Sequence, residues 1–204
     1  MRLTDAYSDL RRLHRPVLTT DEAAARWKAS PRTTGHRLKA MEEGGLVSRL
    51  RPGLWALDSD IRPFVLAPYL TAPYPAYVSF WSALAHHGLI EQVPRRISVA
   101  SLSHPRKIET AIGVYDVHQL APELFGGYGG TDRDGYVAGA EKAIFDTVYV
   151  RAAAGGKAYF TELDLPRGFD RGALRSWTER IESPRLHTLV SRRIREVLSK
   201  VEVE

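Results

Sequence analysis

The chain has 204 residues, no cysteine and a formal net charge of +5, from 29 basic and 24 acidic side chains. The lack of cysteine excludes disulfides and thiolate metal sites, and it fits a reducing cytoplasm, the compartment that we expect. No uninterrupted apolar run approaches the ~20 residues that a membrane-spanning helix needs, so we expect no membrane partner. With 44% hydrophobic residues, the chain can bury one good core, or a small domain and a medium one.

Helices are predicted in close succession near the N-terminus. The amphipathic, charged residues before position 16 predict a first helix rather than a signal peptide. The sequence TTDE from Thr19 is a capping box, in which a hydroxyl and a carboxylate each bond a free N–H, and it predicts a helix over residues 21–27. Ser30 before Pro31 predicts the start of the next helix. That helix should run to about Glu43, because two glycines follow that can form a helix C-cap.

A two-stranded ribbon is predicted directly after this helix. Two short apolar runs, LVSRL and LWAL, flank the tight-turn sequence Arg51-Pro52-Gly53. Helix, short turn, helix and ribbon is the order of a winged helix-turn-helix. Residues 26–51 carry seven basic and two acidic side chains, whereas residues 52–166 carry nine and twelve. Because phosphate binding requires such a concentrated basic excess, we predict a DNA-binding domain over residues 1–60.

Two roles in DNA binding are predicted for the polar side chains of this segment. Four of them lie near the start of the second capped helix, the end that meets base edges in the major groove. Arginine can donate two hydrogen bonds to guanine, and threonine can bond a base or contact a thymine methyl. The other basic residues are better placed for phosphates, which position a protein without reading sequence. The alternative for each residue is a solvated surface side chain. The predicted base-contacting residues are Arg32, Thr33, His36 and Arg37, and the full DNA-binding set adds Lys28, Ser30, Lys39, Arg49 and Arg51.

A mixed α/β domain is predicted for residues 61–204, after acids and a proline that break the pattern near residues 58–62. Its strands lie in the middle and most of its helices at the end, which is typical of an α+β protein. The glycine tract at residues 126–130 is expected to be a flexible loop. Strands are predicted over residues 95–101, 112–120 and 136–137, and helices over residues 79–88, 140–153, 171–181 and 184–201.

Three blocks of the sequence resemble the AbiEi family, the antitoxins and transcriptional regulators of type IV toxin–antitoxin systems. They are LTTDEAAARW…SRLRPGLWAL, VSFWSALAHHGLIEQVP and GAEKAIFDTVYV, and with their order and spacing they cover roughly two-thirds of the chain. The resemblance implies an N-terminal domain that binds double-stranded DNA repeats in its own promoter and represses the operon. It also implies a C-terminal domain that counters a nucleotidyltransferase-like toxin encoded next door.

The second and third blocks supply the motif residues of this antitoxin domain. From the residues alone, Ser79 is a good helix N-cap, and acidic side chains suit the positive end of a helix dipole. Lys142 and Asp146 form an i, i+4 pair. Such side chains usually cap and lock helices, so the hypothesis of toxin contact rests on the resemblance. The motif residues are Ser79, Ser82, His87, Gln92, Glu141, Lys142 and Asp146.

An enzyme is not expected. His86 and His87 are adjacent, so they point about 100° apart on a helix and cannot share a metal as i, i+4 histidines would. Asp132 and Asp134 could pair on a metal, but they lack the Gly-Ser turn and helix that nucleotidyltransferase sites place before the acids. We therefore predict no catalytic residue, no metal and no cofactor. The alternative function is a winged-helix regulator that senses a small ligand, with the aromatic residues of positions 69–81 lining a pocket or, equally, forming core.

Overall fold

A computed structural model describes residues 2–58, 60–160 and 162–201. In this described part the protein is a mixed α+β fold with eight α-helices and two β-sheets, which confirms the predicted α+β class. No helix among the described residues is both long and apolar enough to cross a membrane.

Residues 2–57 pack three helices against a small antiparallel sheet. The elements are α1 (Leu3–Arg11), β1 (Val17–Thr19), α2 (Thr20–Trp27), α3 (Pro31–Glu43), β2 (Ser48–Arg51) and β3 (Leu54–Ala56). Strand β3 is central, with β1 and β2 on either side. The predicted capping box is confirmed, because Glu22 N donates to Thr19 Oγ1 at 3.1 Å and Thr19 N donates to Glu22 Oε2 at 2.7 Å. Ser30 caps α3 as predicted and accepts a hydrogen bond from Thr33 N at 3.1 Å.

The following residues form a six-stranded mixed sheet with helices. The elements are α4 (Ala67–Thr71), β4 (Ala76–Val78), α5 (Phe80–His86), β5 (Ile97–Ser101), β6 (Arg106–Thr110), β7 (Gly113–Gln119), β8 (Tyr128–Thr131), β9 (Gly135–Ala138), α6 (Ala140–Ala153), α7 (Arg171–Glu179) and α8 (Pro184–Val201), with 3-10 turns at Pro63–Leu66 and Pro122–Leu124. The strand order is β6–β7–β5–β4–β9–β8. The pairs β5–β7 and β4–β9 are parallel, and the other pairs are antiparallel.

Neighbouring residues of a single strand enter different cores, as side chains on opposite faces of a strand must. In β3, Trp55 packs beneath α1–α3, whereas Leu54 and Ala56 enter a cluster that also receives residues of the six-stranded sheet. In β4, Tyr77 faces the core under α5–α8, whereas Val78 enters the same shared cluster. We call this cluster the shared core. Its buried residues are Val17, Leu50, Leu54, Ala56, Leu66, Ala67, Leu70, Ala76, Val78, Val99, Ile108, Tyr115 and Val117.

Polar contacts also join the two sheets. Ala111 N, in the turn between β6 and β7, donates to the Leu50 carbonyl of β2 at 2.8 Å. A second contact ties the segment after the first sheet to the second sheet: Arg62 Nη2 lies 2.8 Å from Asp134 Oδ1 in the β8–β9 turn. The outer edge of the predicted ribbon is therefore bonded to the second sheet instead of projecting freely.

Several strands escape prediction because they lack apolar alternation. Strand β6 buries only Ile108 among its five residues, and every residue of β8 is exposed. The expectation of a flexible loop at residues 126–130 is wrong, because Tyr128–Thr131 pairs antiparallel with β9. By contrast, the strand predicted over residues 112–120 is confirmed as Gly113–Gln119.

Truncating Leu54 should test the shared core. Its side chain is 5% exposed, and Leu54→Ala should lower the free energy of unfolding by about 2–5 kcal/mol, because it removes buried methyl groups and leaves a cavity. Urea denaturation followed by tryptophan fluorescence measures this change. Val93→Ala is the control: at 82% exposure it should change stability by less than about 0.5 kcal/mol. If Leu54→Ala lost no more stability than the control, the shared core would not contribute to the stability of the fold.

Candidate functional site

Helix α3 presents a polar, basic face beside its buried face. Thr34, Leu38 and Met41 are buried at helical spacing and anchor the helix against its neighbours. The base-contacting residues predicted on the first turns are exposed, apart from Arg37. Their side chains are therefore available to a ligand, and they start where the helix dipole is positive, the end that attracts phosphate. The exposed residues are Arg32, Thr33 and His36, with Lys39 one turn further on.

Arg37 differs from the other predicted base-contacting residues. It is half-buried, and its guanidinium carbon lies 4.9 Å from the centroid of the Trp27 ring. A cation at this distance is attracted to the face of an indole ring. Arg37 therefore bridges α2 and α3, and this contact holds its guanidinium against the protein.

The β2 strand adds basic side chains next to α3. Leu50 points inward, whereas Arg49 and Arg51 are exposed, as alternation along a strand requires. Arg49 is held at both ends: its backbone N donates to Glu42 Oε1 at 3.3 Å, and its guanidinium lies 5.7 Å above the Trp55 ring.

The remaining predicted DNA-binding residues have structural roles as well. Lys28 ends α2 in the left-handed conformation with φ of 50°, and its side chain is exposed. Ser30 is the cap of α3, and its Oγ also lies 2.9 Å from Thr33 Oγ1. Lys39 Nζ lies 3.9 Å from Glu43 Oε1 in an exposed pair, which contributes little to stability. The structure thus places the predicted residues on α3, β2 and the turn before α3, as a basic surface on a fixed backbone.

A second site is the buried ion pair between Lys142 and Asp146 on α6. The two side chains are 2% and 0% exposed and in direct contact. The other carboxylate oxygen, Asp146 Oδ2, accepts hydrogen bonds from Ser79 Oγ at 2.6 Å and from Tyr77 OH at 3.2 Å. The carboxylate is therefore bonded from β4, from the start of α5 and from its own helix. The predicted i, i+4 pair is confirmed, but the expectation that acidic motif residues lie at the positive end of the helix holds for Glu141 and is wrong for Asp146, which lies in the middle of α6.

Aromatic rings surround the ammonium group of Lys142. Its Nζ lies 4.5 Å from the ring centroid of Trp177, 5.1 Å from that of Phe145 and 5.7 Å from that of Tyr77. Gly127 closes the cage: it has φ of +70°, and a Cβ there would lie 2.6 Å from Trp177 Cζ2. The glycine tract is therefore packed against the cage, where a larger residue would not fit. Sequence reasoning missed these rings because they come from three distant segments.

Burial changes the protonation energetics of the cage. It lowers the pKa of Lys142 and raises the pKa of Asp146, because both charged forms lose hydration. Their mutual attraction acts in the opposite direction on both groups. Burial also raises the pKa of Tyr77, which lies beside the carboxylate and stays a hydrogen-bond donor. The two charged side chains, Tyr77 and Ser79 are buried, and Trp177 is half-buried over the ammonium, so the cage acts as a structural anchor joining β4, α5, α6 and α7.

Ser79 does not act as the N-cap that its sequence position suggests. It precedes α5, but no hydrogen bond joins its side chain to the helix, and its hydroxyl donates to Asp146 instead. The next residue, Phe80, has φ of 54°, a conformation costly for a bulky side chain. This sharp junction between β4 and α5 turns the Ser79 hydroxyl toward the buried carboxylate.

Three of the other four motif residues also bond within the fold. Ser82 Oγ donates to the Arg96 carbonyl at 3.2 Å and accepts from Ser98 N at 2.9 Å. His87 Nε2 lies 2.7 Å from the Ala138 carbonyl, and Glu141 Oε1 accepts from Asp170 N at 2.9 Å. Gln92 is exposed.

The motif residues thus fall into two groups: Ser79, Lys142 and Asp146 meet in the cage, whereas Ser82, His87, Glu141 and Gln92 have no bond to it.

The remaining candidates are accounted for by local contacts. Tyr77 and Phe80 are 0% and 3% exposed and belong to the core, so these two aromatic residues do not line a ligand pocket. Asp132 Oδ1 accepts from Tyr136 OH at 2.9 Å, and Asp134 pairs with Arg62. Among the residues that the structure describes, no group of three or more histidine or acidic side chains could hold a metal ion.

Breaking the buried pair should be far more costly than breaking an exposed pair of the same spacing. Asp146→Asn should lower the free energy of unfolding by about 3–5 kcal/mol, because it leaves a buried ammonium without its counter-charge. Adding Lys142→Met should recover most of that loss, since replacing both charges removes the unpaired one. Chemical denaturation of the three proteins measures both effects.

The control for this prediction is Lys39→Met, which breaks the exposed i, i+4 pair with Glu43. It should change stability by no more than about 0.5 kcal/mol. If the double variant lost more stability than Asp146→Asn alone, the electrostatic explanation of the cage would be wrong.

Comparison with known proteins adds no relative. No protein-family model matches the chain, and a search of the curated proteins finds no match.

Proposed function

We propose that this protein is a DNA-binding antitoxin of the AbiEi type, which represses its own operon and counters a nucleotidyltransferase-like toxin. The observation that carries the proposal is the basic face shared by α3 and β2. In the proposed complex with DNA, α2 and α3 form the helix-turn-helix, β2 and β3 form the wing, and α3 enters the major groove. The cytoplasm, where promoter DNA lies, is the proposed compartment.

The geometry supports DNA as the ligand of this face. Arg32, Thr33 and His36 start at the first turn of α3 and are exposed, which suits contact with base edges. Arg49 and Arg51 project from the neighbouring strand, where a duplex seated on α3 would place its phosphates. Since the edge of β2 is bonded to the second sheet through Leu50, the proposed wing is held in place before DNA arrives. Such preorganisation lowers the entropy cost of binding.

The antitoxin half of the proposal is supported by the second and third sequence blocks. Three of their side chains, Ser79, Lys142 and Asp146, meet in the Lys142 cage, so these motifs contribute to the packing of β4, α5 and α6. In this proposal the toxin is countered by a surface that the cage holds in shape, and direct contact through the buried motif residues is not required.

Variants of the two DNA-contacting groups should separate sequence reading from phosphate binding. Arg32→Ala should weaken binding to the upstream repeats by about 1–3 kcal/mol and leave random DNA little affected. Arg51→Ala should weaken binding to both DNAs and reduce the slope of log affinity against log salt by about one unit. Fluorescence anisotropy at several salt concentrations measures these affinities.

Arg185→Ala is the matched control, because it removes an exposed arginine from α8, outside the proposed interface. It should bind both DNAs like the parent protein. Equal losses on repeats and random DNA for Arg32→Ala would refute its base-reading role, and full binding by both interface variants would refute the DNA interface.

Repression and protection from the toxin should be separable in the intact chain. Because the shared core joins the two sheets, deleting residues 1–60 would expose apolar surface, so point variants are the better test. Arg32→Ala combined with Arg51→Ala should abolish repression of a promoter reporter and retain growth in cells that express the adjacent toxin gene. Loss of growth with normal protein levels would show that protection needs DNA binding and would overturn this division of roles.

A further inference from the structure

Helices α7 and α8 form a groove that the proposed function does not use. It encloses about 570 Å³ and is lined from both helices. On α8 the lining residues run from His187 to Ser199, with Ser191 and Ile194 between them at helical spacing. Other positions of α8, such as Val190, pack into the core under the helices. One stripe of α8 therefore faces the core and a neighbouring stripe faces the groove.

The floor of the groove is apolar. It is formed by Leu174 of α7 and by Ile194 and Leu198 of α8, which belong to the core or pack against it. The small side chains of Ser191 and Ser199 lie on the same stripe and leave room above the floor. An apolar floor favours a ligand that can bury aliphatic or aromatic side chains.

The rim of the groove is basic. Arg171 and Arg175 line it from α7 and Arg195 lines it from α8, and Arg175 and Arg195 are exposed. Among the described lining residues, Glu179 is the one acidic side chain. Arginines on both sides of an apolar floor complement a ligand whose apolar stripe is flanked by carboxylates.

We propose that this groove binds an amphipathic helix of a partner protein, with an apolar face on the floor and Asp or Glu along its flanks. From His187 to Ser199 the stripe is ~18 Å long, about three turns of a helix, which suits a ligand anchored at i, i+3 or i+4, and i+7. A duplex is the weaker fit, because phosphates gain nothing from Leu174, Ile194 and Leu198. The proposal does not depend on the DNA-binding or antitoxin function.

The chain has no cysteine, so a single introduced thiol can report on the groove alone. Ser176→Cys, on an exposed residue of α7 next to the rim residue Arg175, is labelled with an environment-sensitive fluorophore and titrated with a peptide of about 14 residues, ~21 Å long as a helix. The peptide carries leucines at the anchor spacing and glutamates on both flanks. The expected result is a saturable blue shift that Arg175→Glu and Arg195→Glu each weaken at least tenfold, with unfolding midpoints unchanged.

Arg185→Glu is the matched control, since it makes the same charge change on an exposed residue of α8 that does not line the groove. It should alter the affinity less than twofold. A scrambled peptide of the same charge and a peptide with lysine flanks should bind at least tenfold more weakly.

Four results would overturn the proposal. They are no saturable shift with the acidic peptide, equal binding of the scrambled peptide, equal binding of the lysine-flanked peptide, and an equal loss in the control variant. Displacement of the bound peptide by equimolar double-stranded DNA would assign the groove to nucleic acid and would overturn it as well.

Discussion

The alternation of side chains along β3 is the constraint on which the arrangement of both sheets depends. Trp55 faces helices α1–α3, whereas Leu54 and Ala56 face the six-stranded sheet. Burying both faces of a three-residue strand leaves little freedom for the strands beside it. In the proposed wing, β3 is therefore buried, whereas β2 buries Leu50 and exposes its arginines. The position of Arg49 and Arg51 relative to α3 follows from this burial, and it does not have to be created by a DNA ligand.

The buried ion pair fixes the positions of β4, α5 and α6 in a comparable way. An apolar side chain at Asp146 could fill space, but it could not bond to Tyr77 and Ser79 at the same time. The pair therefore selects one alignment of α6 against β4 and α5, and the aromatic cage with Gly127 excludes water from it. The desolvation cost of the two charges is offset only when every partner is in place.

Local signals in the sequence predict local structure well in this protein. The capping box at Thr19 and the Ser30-Pro31 start involve residues three or fewer apart, and the helices they predict are confirmed. Strand β6 and the all-exposed β8 depend on partners elsewhere in the chain, so no pattern within them reveals them. The candidate site divides in the same way. The basic surface of α3 could be predicted from helical spacing, whereas the cage of Lys142 needs Tyr77 and Trp177, which only the fold brings together.

The shared core has a consequence for how this architecture can diversify. An N-terminal domain that is joined to the rest of a protein by a flexible linker can be exchanged between proteins, because the two parts share no packed surface. In this protein, an N-terminal domain from another protein would have to pack different residues at positions 17, 50 and 54 against the six-stranded sheet. The hydrogen bond from Ala111 to Leu50 would also require the same register. Recombination at the linker would therefore yield poorly folded chimaeras. Under the proposed function, new DNA specificity would have to arise by substitution on the exposed face of α3, with the buried residues beneath it unchanged.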